Sequence, residues 1–174
     1  MNLSRFKHHL GVLVCAALIG CAEPPEPGNP PQPPSGLFPG YQSYQTLQDL
    51  KSRLPHRSVW QVRSDSKTAP RPGCPRFDEL TFAVTAKHLE HSGLLQLTFI
   101  NDRLEQTLFE PDDFGSYLEA LSHNGLHFAP SGEATIAPAT EAWLSDPTLQ
   151  QPRFVGWRDE RISKQAQDWV RRCS

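Results

Sequence analysis

The strongest pattern along the chain is the alternation of apolar and polar positions between residues 79 and 109. A period of two, with β-branched and aromatic residues, is typical of strands that bury one face. The groups His91-Ser92-Gly93 and Asn101-Asp102 supply turn residues between the runs. The pattern therefore predicts a three-stranded antiparallel meander from Glu79 to Phe109. Its apolar positions are Leu80, Phe82, Val84 and Ala86, then Leu95, Leu97 and Phe99, then Leu104 and Leu108.

Apolar residues spaced by three or four predict three helices around this meander. Thr46 and Asp49 form a capping-box pair before the first helix, and Pro55 ends it. Pro111 suits the start of the second helix, where no N–H is needed, and Gly125 suits its end. Asp159 is placed to cap the third helix. The apolar stripes are Leu47, Leu50 and Leu54; Phe114, Tyr117, Leu118 and Leu121; and Ile162, Ala166, Trp169, Val170 and Cys173.

Two further short runs, residues 58–64 and 154–157, predict single strands. Residues 129–152 show no clear period and are expected to be mostly irregular. The sequence thus predicts one α+β domain over residues 41–174. In it, an antiparallel meander of three to five strands packs against two or three helices, and one disulfide is formed.

The first 20 residues have the organisation of an export signal. Arg5 and Lys7 precede an apolar run over residues 10–19, which is too short to span a membrane. The run ends Leu18-Ile19-Gly20-Cys21, which resembles the lipobox of bacterial lipoproteins. The alternatives are a secreted protein whose leader happens to end in Cys and a cytosolic protein with an apolar first helix.

The lipobox resemblance implies how the mature chain is held. It implies cleavage after Gly20 and a thioether-linked diacylglycerol on Cys21, usually with a third acyl chain on the new amino terminus. Two or more acyl chains give stable anchoring. In this family Ala22, rather than Asp, after the anchor implies the outer membrane, facing the periplasm. The membrane is therefore the first expected partner.

Residues 21–40 form the lipidated cysteine and a proline-rich linker. Eight of the 17 prolines lie here, and proline favours an extended polyproline II chain. At about 3.1 Å per residue, such a linker holds a domain roughly 50 Å from the bilayer. The alternative is a ligand for a proline-recognition domain.

The four cysteines divide between leader, anchor and domain. Cys15 lies in the leader and Cys21 in the lipobox, which leaves Cys74 and Cys173. Two cysteines in an exported domain are a natural disulfide pair, and the alternative is two free thiols.

Charge and motif content argue against several classes of function. The net charge is −2, and it becomes −4 when Arg5 and Lys7 leave with the leader. No basic stripe suggests nucleic acid. There is no Gly-x-Ser-x-Gly motif and no glycine-rich phosphate loop. The sequence predicts no catalytic residue, no metal site and no small-molecule cofactor.

Three groups of side chains have reactive or metal-binding chemistry, and each has a simpler explanation. Serine and histidine at a helix end usually face water, as do histidines in a turn. Acids near a helix amino terminus are explained by the helix dipole. The serine–histidine group is Ser122 with His123. The histidine group has two candidate metal sites, His88 with Glu90 and His91, and His123 with His127. The acid group is Glu110, Asp112 and Asp113.

Trp157 and Arg158 form a candidate partner surface. The chain has four tryptophans, and Trp and Arg dominate many protein interfaces. The alternative is that Trp157 packs in a small core.

A leading helix followed by a meander, with the run LQLTFINDRL over residues 95–104, resembles small outer-membrane lipoproteins of the BamE (SmpA/OmlA) kind. That resemblance implies an α+β fold and assistance in barrel-protein assembly. The chain departs from the family in having one leading helix rather than two and a long segment after the meander.

The sequence therefore predicts a non-enzymatic, membrane-anchored binding or scaffold protein of the cell envelope with a protein partner. The alternative function is a periplasmic inhibitor or immunity protein against a toxin or lysozyme. An enzyme is the third hypothesis.

Overall fold

The computed structural model describes residues 33–54, 60–67, 73–74, 76–148 and 152–173, with residues 60–67 described as backbone. The predicted leader, Cys21 and Pro55 lie outside the described residues. Within them no helix is long and apolar enough to cross a membrane. The strands are β1 Gly36–Phe38, β2 Tyr41–Gln42, β3 Trp60–Lys67, β4 Phe77–His88, β5 His91–Ile100, β6 Arg103–Pro111, β7 Glu133–Ala137, β8 Thr140–Leu144 and β9 Val155–Asp159, and the helices are α1 Leu47–Lys51, α2 Phe114–His123 and α3 Glu160–Cys173.

The predicted α+β class is confirmed, and the strand number is larger than the predicted three to five. Seven strands form one antiparallel sheet in the order β3-β4-β5-β6-β9-β8-β7, and β1 pairs with β2 in a separate hairpin. The meander β4-β5-β6 is the centre of the large sheet. The expectation of irregular structure over residues 129–152 was wrong for residues 133–144, which form the β7-β8 hairpin. These strands have five residues each, too few to show a clear period, and they depend on pairing with β9.

The two turns of the meander differ from each other in how well the sequence predicts them. Asn101 and Asp102 form the second turn as predicted, with φ of 48° and 58°. The first turn is Leu89-Glu90, and not His91-Ser92-Gly93, which lies within β5. Gly93 has a different role there: a Cβ at this position would collide with the backbone carbonyl of Glu110 on β6. The glycine thus allows close approach of two strands and does not make a turn.

The main core lies on one face of the sheet, under α1, α2 and the β1-β2 hairpin. The capping box of Thr46 and Asp49 is present at α1. The prediction that Pro111 opens α2 was wrong, because Pro111 is the last residue of β6. The carboxylate of Asp113 caps α2 instead, accepting hydrogen bonds from the backbone N–H and the hydroxyl of Ser116. Fully buried core residues are Leu37, Leu50, Leu95, Leu97, Phe99, Leu104, Phe109, Tyr117 and Val155.

Helix α3 covers part of the opposite face and makes a second, smaller cluster with Phe77 and Ile100. Cys173 forms the predicted disulfide with Cys74, across 99 positions of sequence and with 5.8 Å between the Cα atoms. Val170, predicted on the buried stripe, is 42% exposed. It lies next to Trp169, whose ring stacks on Phe77 at 4.8 Å and takes the buried position.

The folded unit begins earlier than residue 41, the predicted boundary. Leu37 and Phe38 are 2% and 7% exposed and belong to the main core. Pro39 and Gly40 form the turn to β2, and φ of 84° at Gly40 suits a type II turn with Pro in the second position. Residues 36–42, predicted as the end of a proline-rich linker and the start of the domain, therefore form a hairpin that packs on the sheet.

Candidate functional site

An open groove of about 530 Å³ lies beside the β1-β2 hairpin. Hairpin residues 36–42 form one wall. Arg53, just after α1, and Ile136 of β7 come from distant parts of the chain, and Trp157 of β9 also lines the groove, from the core face. The groove is thus assembled from four separate segments, each fixed by packing on the sheet.

The groove is largely apolar. Ile136 is 47% exposed, and with Val170 it is one of two exposed large hydrophobic side chains among the described residues. Burial raises the pKa of Tyr41, and the positive charge of Arg53 lowers it by less, so the phenol stays neutral at physiological pH. The groove thus combines one exposed aliphatic side chain with the half-buried ring of Tyr41 and the buried rings of Phe38 and Trp157.

Arg53 supplies the positive charge of the groove. Its guanidinium donates a hydrogen bond to the carbonyl of Gly40, with 3.1 Å between Nη1 and O. Among the described residues Arg53 forms no ion pair. Hydrogen bonds from Thr46, and to a smaller extent the charge of Arg53, lower the pKa of the exposed Asp49 carboxyl. The other N–H groups of the planar Arg53 guanidinium can donate hydrogen bonds to a carboxylate from outside the chain.

Behind the groove lies a cluster of aromatic rings around Phe38. The Phe38 ring centroid lies 5.4 Å from those of both Phe109 and Trp157 and 4.9 Å from that of His88. Nδ1 of His88 is 2.6 Å from the hydroxyl oxygen of Tyr117. Burial, and then the charge of His91, lowers the pKa of His88. The floor of the groove is therefore joined to a neutral, hydrogen-bonded imidazole.

Strand β7 is an edge strand of the sheet, and its backbone groups alternate in direction. The N–H of Leu144 donates to the carbonyl of Gly132 at 2.8 Å. In an antiparallel ladder the hydrogen-bonded pairs alternate, so Ala134 is the next residue of β7 to bond with β8. The backbone N–H and C=O of Glu133 and Thr135 then point away from β8. The carbonyl of Glu133 accepts from the N–H of Ala129 on that outer side.

The N–H and C=O of Thr135 therefore point to the open edge. A bulge follows Thr135, since the β8 partner register shifts between Thr135 and Ala137. Ile136 is the extra residue of this bulge, and its side chain lines the groove. Bulges commonly re-aim a side chain in this way, so the open edge at Thr135 adjoins the groove at Ile136.

Trp157 and Arg158 do not form the exposed pair that the sequence suggested. Trp157 is 5% exposed and belongs to the main core, reaching the groove only at its floor. Arg158 lies on the other face of the sheet, where its Nε donates to Glu141 at 2.7 Å. Its guanidinium is also 5.0 Å from the centre of the Trp143 ring. Successive residues of a strand point to opposite faces, so the two side chains cannot share a surface.

The structure places the candidate reactive groups in separate, mostly exposed positions. Ser122 pairs with His127, with 3.1 Å between Oγ and Nδ1, and not with His123. His123 contacts the Glu119 carbonyl of its own helix. His88 and His91 face each other across the first turn of the meander. Among the described residues no group of three or more His, Cys, Asp or Glu side chains is arranged to hold a metal ion.

The three acids of the predicted group have different positions and do not form a site together. Asp113 is the helix cap described above. Glu110 lies in β6, opposite Leu94 of β5. Asp112 follows β6, and its backbone N–H donates to the carbonyl of Ser92.

Sequence reasoning missed the residues that form the groove, Phe38, Tyr41, Arg53 and Ile136. One signal was present: the sequence Phe38-Pro39-Gly40-Tyr41 combines turn residues with flanking aromatics, which is typical of a hairpin. No comparable local signal marks Arg53 or Ile136, because their role depends on contacts between distant segments.

Searches against protein-family models, curated proteins and solved structures gave no match to this chain.

Proposed function

We propose that this chain is a lipid-anchored protein of the cell envelope that binds a protein partner and has no catalytic role. The observation that supports this most directly is the groove beside the open edge of β7, with exposed Ile136 and the cationic Arg53. A groove of this kind gives apolar contact, a charge and backbone hydrogen-bonding groups at one place. These three features together suit a polypeptide partner better than a small reacting substrate.

The anchor half of the proposal rests on the sequence. The charged and apolar leader that ends in Cys21 resembles a lipoprotein signal, and the proline-rich segment that follows suits a stalk. A lipid on Cys21 would confine the domain to the membrane surface, where the local concentration of an envelope partner is high. A modest contact in the groove is then sufficient for stable association.

One experiment in intact bacteria tests both halves. The full chain is expressed, crosslinked and purified, and mass spectrometry reads its mature amino terminus and the crosslinked proteins. We expect acyl chains on Cys21 and the same envelope protein among the crosslinked proteins in repeated experiments. The Cys21→Ala variant is expected to lose the lipid, whereas the matched Cys15→Ala variant keeps it.

The outcomes separate the functional classes. An unlipidated mature chain, or no reproducible partner with the lipid confirmed, contradicts the proposal. Recovery of a toxin or a foreign hydrolase in place of an envelope component supports the inhibitor or immunity function.

A further inference from the structure

We infer that the partner enters as an extended segment that adds a strand to β7, inserts an apolar side chain beside Ile136 and places a carboxylate on Arg53. This inference rests on the proposed binding function and specifies the form of the partner. Strand addition of this kind takes its affinity from main-chain hydrogen bonds and its specificity from pockets for alternate side chains.

The backbone of β7 supports strand addition. Thr135 presents both an N–H and a C=O on the side away from β8, as the ladder phase set by Leu144 and Gly132 requires. Natural proteins protect an edge strand with charged residues or proline, with a bulge, or by keeping the strand short. Strand β7 is short and has a bulge, but residues 134–137, Ala-Thr-Ile-Ala, carry no charge and no proline. The edge at Thr135 is thus chemically suited to a short added strand.

The groove supports the apolar part of the inference. Ile136 of the bulge and the rings of Phe38, Tyr41 and Trp157 line a space of about 530 Å³ directly beside this edge. In a strand paired to β7, alternate side chains point toward the groove face. Burial of Ile136 under such a side chain would remove exposed apolar surface and stabilise the complex.

Charge complementarity decides the chemistry of the partner segment. Arg53 brings a guanidinium to the groove, and within the described structure it makes no ion pair. The partner segment should therefore contain Asp, Glu or a chain-terminal carboxylate near its apolar residue. A second copy of the chain would bring Glu133 of its own β7. The carbonyl of Glu133 already accepts from Ala129, so two β7 strands could pair through Thr135 alone, and we favour a different protein.

The test uses a phage-displayed library of random peptides and the full chain purified in detergent. Enriched peptides are expected to alternate apolar and polar residues and to carry at least one acid. Synthetic copies should bind the wild type, and Thr135→Pro and Ile136→Asp should each weaken binding by at least about tenfold. Arg53→Gln should weaken binding of the acidic peptides and leave their amide versions unchanged.

Two control variants and a check on the folding of Thr135→Pro keep the result interpretable. Val170→Asp adds the same charge at the other exposed hydrophobic side chain and should not change affinity. Proline is tolerated at an edge position whose N–H faces outward, so Thr135→Pro should fold. Ala134→Pro, by contrast, removes a hydrogen bond to β8 and should lower the melting temperature.

Several outcomes would overturn the inference. These are a library that enriches nothing, peptides that bind Thr135→Pro and Ile136→Asp as tightly as the wild type, and sedimentation showing a dimer that Thr135→Pro dissociates. An envelope partner still crosslinked to the Thr135→Pro and Ile136→Asp variants would remove the inference and leave the proposed function intact.

Discussion

Among single residues, His88 connects the groove to the core. It contacts the ring of Phe38 on one side and the hydroxyl of Tyr117 on the other. Its surroundings are aromatic rings, so the charged imidazolium is poorly solvated. The charge of His91, across the turn, disfavours protonation further. Among the described histidines, His88 is therefore the one whose protonation most directly opposes the folded state.

This arrangement predicts that mild acid lowers stability through His88. The pKa of His88 in the folded protein lies below its ordinary value of 6.5, so the unfolded chain binds the proton more tightly. The free energy of unfolding should fall as pH drops from 6.5 through the lower folded pKa, and then level off for this group. Urea unfolding at a series of pH values measures it.

The control for His88 separates its contribution from that of the carboxylates. His88→Gln keeps a hydrogen-bonding group beside Tyr117 and cannot titrate in this range, so the step below pH 6.5 should shrink. The exposed His127→Gln should leave the step unchanged. Equal pH profiles for wild type and His88→Gln would contradict the prediction.

A second residue-scale prediction concerns Gly156. A Cβ at this position would lie 2.5 Å from Cζ2 of Trp143, so the indole covers the glycine directly. Gly156→Ala should displace the ring from its place beside Arg158 and destabilise the protein by about 1–3 kcal/mol. Thermal unfolding and tryptophan fluorescence measure both effects. Gly36→Ala, where a Cβ meets nothing within 4 Å, is the matched control, and equal losses at the two sites would refute the argument.

At the scale of elements, α3 depends on its two ends. Asp159 fixes the start, where it accepts hydrogen bonds from the backbone and the side chain of Arg161. The disulfide fixes the last residue, Cys173, to Cys74 beside β4. Between them the helix is held by a small cluster, with Trp169 on Phe77 and Ile162 buried. Two side-chain hydrogen bonds also join it to β6, from Arg103 to Gln165 and from Ser163 to Glu105. Breaking the Cys74–Cys173 disulfide is therefore expected to affect α3 more than the other described elements.

The prediction is that removing the disulfide loosens α3 before the rest of the sheet. The double variant Cys74→Ser, Cys173→Ser should lose about 2–5 kcal/mol of stability, because the reduced chain gains unfolded-state entropy over a loop of 99 residues. Hydrogen exchange should quicken first in residues 160–173. Val170→Ser, on the same helix, is the control, and uniform quickening over all strands would contradict the prediction.

At the scale of the whole molecule, local patterns predicted the elements better than the site. The alternating run of residues 79–109 gave the meander, because its half-buried strands impose a period of two. Thr46 with Asp49 predicted α1 because a capping box is complete within four residues. The pairing of Cys74 with Cys173 was expected because the lipobox resemblance assigns Cys15 to a leader and Cys21 to an anchor.

The remainder was hidden because it depends on contacts between distant segments. Nothing within residues 129–152 specifies that β7 and β8 extend the sheet from β9. Nothing near Arg53 indicates that Ile136 lies across the groove. The prolines around Leu37 and Phe38 led to the prediction of a linker there. These two consecutive apolar residues are nevertheless enough to pack β1 on the sheet.

The way residues 33–35 are held has a mechanical consequence. Arg161 donates to the carbonyl of Pro33 and the hydroxyl of Ser35, each at 3.2 Å, and also pairs with buried Asp159. Ser35 also exchanges two hydrogen bonds with Ser43, directly after β2. Tension on the chain preceding residue 33 would therefore load the junction of β9 and α3 through Arg161 and, together with it, the end of the β1-β2 hairpin. Under the proposed anchoring, a pull on the chain would thus be shared by two parts of the fold and would not be carried by the hairpin alone.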